Sequence, residues 1–187
     1  MHTFVAIGSR LAVICTVAAL VLALVNVLTA PVIAENRQEA LDEALGRIVD
    51  DAQVGDRVDV DEEGNGSVRA YYPVGADRAP APRYVVELVG EGYGGDMQIL
   101  AGIAADGEVF SAVLMENSET PGLGKEAERA GYMEGKFIGT GGEQPIPATT
   151  GDLSPEEAEA VSGSTVTFMG VAEALRTGSR FVKERLR

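Results

Sequence analysis

From Leu11 to Ala34 the chain carries no charged residue, and Thr16, Asn26 and Thr29 are almost its only polar side chains there. Crossing the ~30 Å hydrocarbon layer takes about 20 apolar residues in a helix, since an internally bonded backbone is needed where no water can reach. This run meets that requirement, so one N-terminal helix is committed to lipid. A cleaved signal peptide is the alternative, and Val32-Ile33-Ala34 is a passable cleavage site. The run, however, exceeds the usual signal core of ~7–15 residues. We read residues 1–31 as an uncleaved transmembrane anchor, with Pro31 where the span leaves the bilayer.

Charge orients the anchor. Arg10 is the only basic residue ahead of the span; all 29 acidic residues and the other 14 of the 15 basic ones lie from Glu35 onward. The positive-inside rule then keeps the N-terminus in the cytoplasm. The expectation is a single-pass protein of the inner (cytoplasmic) membrane with its domain on the periplasmic, extracytoplasmic side. A net charge of −14 argues against nucleic acid as a partner, whose phosphates it would repel, and against docking on anionic lipid. The only cysteine, Cys15, sits in the span, and the only histidine is His2. The exported part thus has no disulfide, thiolate metal site, iron–sulfur ligation or imidazole. No metal site and no catalytic side chain is expected, because serine-triad and zinc hydrolysis both draw on histidine. Redox chemistry there would need a bound organic cofactor.

After Pro31, Ile33, Ala40, Leu41, Ala44, Leu45 and Ile48 recur at helical spacing through Val49, which predicts a connecting helix over 32–50 and a domain over 51–187. Asp50 to Asn65 is acidic and reads as a short strand and a turn. Val68–Tyr72 and Tyr84–Val89 are β-rich, separated by a loop over 73–83 with Pro73, Gly75, Pro80 and Pro82. The glycine cluster Gly90 to Gly95 follows. Met97–Ala104 and Glu108–Met115 flank Ala105-Asp106-Gly107, and Asp-Gly between apolar runs predicts a hairpin. Ser154-Pro155-Glu156-Glu157 is a capping box with proline at the first helical position, predicting a helix through Val161. A last helix is expected from about Thr167 to Arg176, stopping at Thr177-Gly178, with Phe168, Val171, Ala172 and Leu175 on one face.

Three constellations could carry chemistry. Ser162-Gly163-Ser164-Thr165-Val166-Thr167 lies just ahead of that last helix. Free N–H groups and the dipole at a helix N-terminus attract anions, and the hydroxyls of Ser162, Ser164, Thr165 and Thr167 would complete a phosphate cradle. Plain N-capping would use the same residue types. Glu119-Thr120-Pro121-Gly122-Leu123-Gly124 turns sharply after a strand; its two glycines suit a backbone wrapped on a flat ligand, and also suit a surface turn. Gly92-Tyr93-Gly94-Gly95 before a strand is the weakest of the three.

Together these three motifs and Asp106-Gly107, in this order and spacing, resemble the FMN-binding domain of the G subunit of the Rnf electron-transport complex, a domain shared with the C subunit of the Na⁺-translocating NADH:quinone reductase. The resemblance covers nearly the whole chain. It implies a flavin held through a phosphoester on the threonine that ends a Ser-Gly-Ala-Thr motif, which here is Thr165. It also implies that Glu119, Thr120, Pro121, Gly122, Leu123 and Gly124, with Ser162, Gly163, Ser164 and Thr167, surround the FMN. A flavin transferase that uses FAD and Mg²⁺ would recognise the acidic residue six positions earlier, here Glu159. This chain departs from the family pattern in having Ser164 for the usual alanine and Glu159 for the usual aspartate.

The expectation is an α+β domain, mainly antiparallel sheet with flanking helices, preceded by the transmembrane helix. By resemblance it is an electron relay in a membrane-bound, ion-translocating oxidoreductase linked to ferredoxin and NAD⁺. Its partners would be the other subunits of that complex, with no direct NAD binding. The alternatives are the corresponding C subunit of the quinone reductase and a flavin-free, membrane-tethered scaffold.

Overall fold

A computed structural model describes residues 2–50, 52–61, 66–75, 82–121 and 124–186. Helix α1 runs unbroken over His2–Val49 and includes Pro31. The anchor and the connecting helix, read from the sequence as two segments, are one: proline removes one N–H from the ladder, and the helix continues past it. Its most apolar 18-residue window has a mean hydropathy of 2.8, and none of that window is buried within the protein. Leu11, Ile14, Leu20, Leu22 and Leu28 are all well exposed, leaving a helix surface that water would not stabilise. The helix is long and apolar enough to cross a membrane.

Residues 42–187 form a compact unit of their own. Five strands, β1 (Val58–Asp59), β2 (Val68–Val74), β3 (Arg83–Glu91), β4 (Asp96–Ala104) and β5 (Val109–Glu116), form one sheet in sequence order. Every pairing is antiparallel. The α+β expectation holds. The β4–β5 hairpin turns where Asp106-Gly107 foretold: Gly107 takes φ +88°, and its N–H donates to the Ala104 carbonyl at 2.8 Å. The predicted runs sit inside the observed strands within a few residues. The Asn65 end of the first turn and residues 76–81 of the predicted loop lie outside the described residues.

The rest of the chain is helical. A 3-10 turn over Gly124–Glu128 leads to α2 (Ala130–Glu134), and a second one, Thr150–Asp152, precedes α3 (Pro155–Ala160). In α3 the capping box is made, with Ser154 Oγ accepting from the Glu157 N–H at 3.4 Å and Glu157 Oε2 from the Ser154 N–H at 3.0 Å. Helix α4 spans Thr165–Arg185. This corrects the predicted stop at Thr177-Gly178. Phe181 and Val182 beyond it join the core, and Gly178 faces inward, where a Cβ would lie 3.0 Å from both Leu88 methyls. The glycine is there to let the helix lie close to the sheet, and burial of the following turn outweighs its weak helix propensity.

Helix α4 covers one face of the sheet. Phe168, Val171 and Leu175 pack with Val86, Leu88, Met97, Ile99 and Ile103, and most are fully buried. Val85, Leu100 and Tyr72 lie buried on the opposite face. A polar cluster also lies on that face, partly open to solvent. Arg57 Nε and Nη2 donate to the two Glu87 oxygens at 3.1 and 3.0 Å, and the Tyr72 hydroxyl donates to Glu87 Oε1 at 2.5 Å. Burial alone would raise the Glu87 carboxyl, but the hydrogen bonds from Arg57 and Tyr72 and the Arg57 charge hold it below the usual carboxylate range.

Two outcomes follow from these contacts. A Cβ on Gly170 would collide with the backbone carbonyl oxygen of Glu91, which cannot swing aside as a side chain can. Helix propensity favours Gly170→Ala by ~1 kcal/mol, yet overpacking costs ~1–3 kcal/mol or more. Urea unfolding of the solubilised protein is expected to show Gly170→Ala destabilised; a more stable variant would mean that α4 stands off the sheet. The Glu87 carboxyl is lowered on folding, so its contribution is complete above the unfolded pKa of 4.5 and is lost as pH falls through the lower folded value. Stability measured from pH 6 downward should fall less steeply in Glu87→Gln than in wild type, and parallel curves would refute the coupling.

Candidate functional site

The turn between β3 and β4 is Gly92-Tyr93-Gly94-Gly95, closed by the Gly92 N–H donating to the Gly95 carbonyl at 2.9 Å. Gly95 sits at φ +124°, and the Tyr93 side chain is exposed at the tip. The chain leaving β5 passes beside this turn. There the Glu119 side chain is only 4% exposed. Burying a carboxylate is costly unless it is hydrogen-bonded, and the Gly94 N–H donates to Glu119 Oε1 at 3.2 Å. The Asn117 side chain fixes the same loop, with Oδ1 accepting from the Glu119 N–H at 2.9 Å and Nδ2 donating to Glu128 at 2.8 Å.

Glycine is required around this carboxylate. A Cβ on Gly92 or on Gly124 would strike the Glu119 carboxylate oxygens, and one on Gly94 would strike the Ser118 carbonyl. The two glycine motifs, far apart in sequence, thus close around one buried acid. Thr120 and Pro121 are exposed on the outside of the loop. Gly122 and Leu123 lie outside the described residues.

The hydroxyl-rich motif forms the start of α4. Ser162–Ser164 make a 3-10 turn, and Thr165 is the first residue of the helix, two positions earlier than the sequence reading placed it. Ser164 occupies the N-cap position, yet its side chain makes no capping bond. It is instead buried, and its hydroxyl donates weakly to the Val161 carbonyl at 3.5 Å. Thr165 is partly exposed, and its hydroxyl makes only long bonds to the Val161 and Ser162 carbonyls, at 3.5 and 3.4 Å. Ser162 and Gly163 are exposed, whereas Thr167 is 1% exposed and turned into the protein. Glu159 is exposed on α3.

One residue that sequence reasoning missed connects these pieces. Tyr132 on α2 is buried, and its hydroxyl meets no partner at ordinary hydrogen-bond geometry, with the Ser164 hydroxyl as its near neighbour. Burial pushes the phenol up to about 12; the Ser164 hydroxyl pulls it back, and the Glu119 carboxylate pushes it up further. Tyr132 therefore lies within electrostatic reach of both loop motifs. A helix of five residues shows no periodicity, so nothing local marked it. The Phe137 and Phe168 rings stack 5.2 Å apart and tie the segment after α2 to the first turn of α4. At the exposed end of the site, Val166 and Met169 leave apolar surface uncovered, at 45% and 42% exposure.

Comparison with known proteins identifies the family. Residues 92–179 match the FMN-binding domain, and residues 7–48 match the RnfG N-terminal region. The G subunit of the Na(+)-translocating ferredoxin:NAD(+) oxidoreductase complex of Acetobacterium woodii is 30% identical, over 90% of this chain and 86% of its own. The G subunit of the proton-translocating ferredoxin:NAD(+) oxidoreductase complex of Clostridium ljungdahlii is 25% identical, over 94% and 89%. A solved structure, that of the C subunit of the Na(+)-translocating NADH-quinone reductase of Parabacteroides distasonis, is 23% identical over 62% of each chain with a TM-score of 0.40, a likeness too partial to bear on function. With a membrane helix and an FMN-binding domain each matched in its place, the chain belongs to the family of Rnf-complex G subunits.

Proposed function

We propose that this protein is the electron-relay subunit of an Rnf-type, ion-translocating ferredoxin:NAD⁺ oxidoreductase complex, carrying one FMN joined by its phosphate to Thr165. The observation that carries the reading is the match of residues 92–179 to the FMN-binding domain, supported by the bond from the Gly94 N–H to Glu119, which brings two of the motifs together. The residues fit the group. The first N–H groups of α4 lack a side-chain cap and carry the positive end of the helix dipole, which suits a phosphate. When bound, FMN supplies the electron transfer itself, which no side chain of the exported part could perform.

The chain's own residues do the rest. The Thr165 hydroxyl is partly exposed and loosely held, which supports it as the acceptor; Ser164 beside it is buried. Exposed Glu159 is accessible to a flavin transferase during maturation. A covalent link keeps the cofactor in place outside the cytoplasm, where dissociated FMN would be lost. The donor and acceptor are cofactors of neighbouring subunits, so the chain binds no NAD itself.

The attachment is tested by three variants and a mass measurement on the peptide that contains Thr165. Thr165→Ala is expected to give a folded, colourless protein with no flavin surviving denaturation, at a stability cost of about 0.5–2 kcal/mol. Thr165→Ser keeps the flavin, because the hydroxyl survives, and Ser164→Ala loads at least as well as wild type. Covalent flavin in Thr165→Ala, lost in Ser164→Ala, would move the acceptor to Ser164. A colourless wild-type protein from cells that make the transferase would favour the scaffold reading.

Topology is tested separately. A phosphatase fused at the C-terminus should be active and a cytoplasmic reporter silent. The reverse pattern would place the domain in the cytoplasm.

A further inference from the structure

Of the 15 basic residues in this acidic chain, five fall in the last twelve positions, as Arg176, Arg180, Lys183, Arg185 and Arg187, beside one acid, Glu184. Part of that concentration needs no partner. Lys183 and Arg185 lie in the last turn of α4, where cations offset the negative end of the helix dipole. Arg176 and Arg180 lie farther back, and the dipole effect fades within the last turn, so it does not account for them. Positions 176, 180 and 183 are spaced by four and three residues, which puts their side chains on one face of the helix.

That face borders a groove of about 410 Å³ between α4 and the loop over 141–146. The groove is preformed. A Cβ on Gly141 would strike the Gly107 carbonyl, so the loop rests directly on the turn of the β4–β5 hairpin. Buried Ser179 ties α4 to both: its hydroxyl donates to the Gly107 carbonyl at 2.7 Å, with the Gly141 carbonyl at 3.4 Å. The three cations are not equally engaged. Arg176 pairs with Glu173 at 3.1 Å, and Lys183 spends one donor on the Gly141 carbonyl. Glu143 and Glu184, both exposed, also border the groove, yet among the described residues no carboxylate pairs with Arg180, which is exposed as well.

An enclosed apolar cavity suits a small organic ligand. This groove is open and edged by charged side chains, which suits an extended polar segment. We propose that it receives an acidic segment of a neighbouring subunit of the complex, whose carboxylates pair with Arg180 and its two neighbouring cations. Charge complementarity carries the choice of partner. A chain of net charge −14 repels acidic neighbours on balance, and this stretch of α4 is where the sign reverses. The proposal rests on the chain being one subunit of such a complex and is independent of where flavin is attached.

The test is made on the whole complex, purified in detergent with this subunit wild type or altered. A carbodiimide, which joins an amine to a carboxylate without a spacer, is expected to couple Lys183 to an Asp or Glu of another subunit, identified by mass spectrometry of the joined peptides. Lys183→Arg, which keeps the charge but offers no amine, should lose that product. Arg176→Glu combined with Arg180→Glu leaves Lys183 in place and should lower the yield roughly tenfold or more. Added salt should lower it in wild type. An unchanged yield in the double variant, or Lys183 coupled only to Glu143, Glu184 or a second copy of this chain, would overturn the proposal. Binding to phosphatidylglycerol vesicles that the double variant loses, with no product between subunits, would make the occupant a lipid surface and overturn it too. The composition of each preparation keeps the two readings apart. A complete complex without the Lys183 product sinks only the groove, and a chain that purifies with no other subunit sinks both.

Discussion

The site depends on how closely α4 approaches the sheet. Where the helix crosses β3, two glycines meet: a Cβ on Gly90 would lie 2.8 Å from the Gly170 carbonyl oxygen, and one on Gly170 would strike the Glu91 carbonyl. Backbone rests on backbone here. That contact sets how near the N-terminal part of α4 lies to the end of β3. The apolar face of Phe168, Val171 and Leu175 holds the helix down, and the glycines decide how near it comes.

A second constraint acts at the same end of the sheet. The Glu119 side chain is buried under a loop that bends around it; Gly92 and Gly124 leave its carboxylate room, and Gly94 leaves room for the Ser118 carbonyl. The core Phe137–Phe168 stack joins the two regions. The turn after β3 and the loop after β5, separate in sequence, thus meet at one corner of the sheet.

The fold was legible in the sequence wherever a strong local signal agreed with its surroundings. The uncharged run, the Asp106-Gly107 turn and the Ser154 capping box each became the element they announced. Local signals misled where packing opposed them. Thr177-Gly178 looked like a helix stop, but Leu88 needs the space that the glycine leaves, and Phe181 and Val182 are buried beyond it. The motifs around Glu119 and Ser162–Thr165 could be read as site residues only through family resemblance, since turn and cap chemistry draws on the same residue types.

By itself the sequence determined that one helix is committed to lipid, that the remaining domain is acidic and lacks histidine and cysteine chemistry, and that hairpins build its sheet. Those properties follow from composition and near-neighbour pattern. Only the tertiary structure decided which hydroxyl is buried and which is accessible, that Ser164 leaves the start of α4 uncapped, and that Glu119 is buried against the turn after β3. The physical reason is that burial and hydrogen-bond satisfaction depend on residues distant in the chain: the Gly94 N–H is answered by Glu119, and no local window holds both.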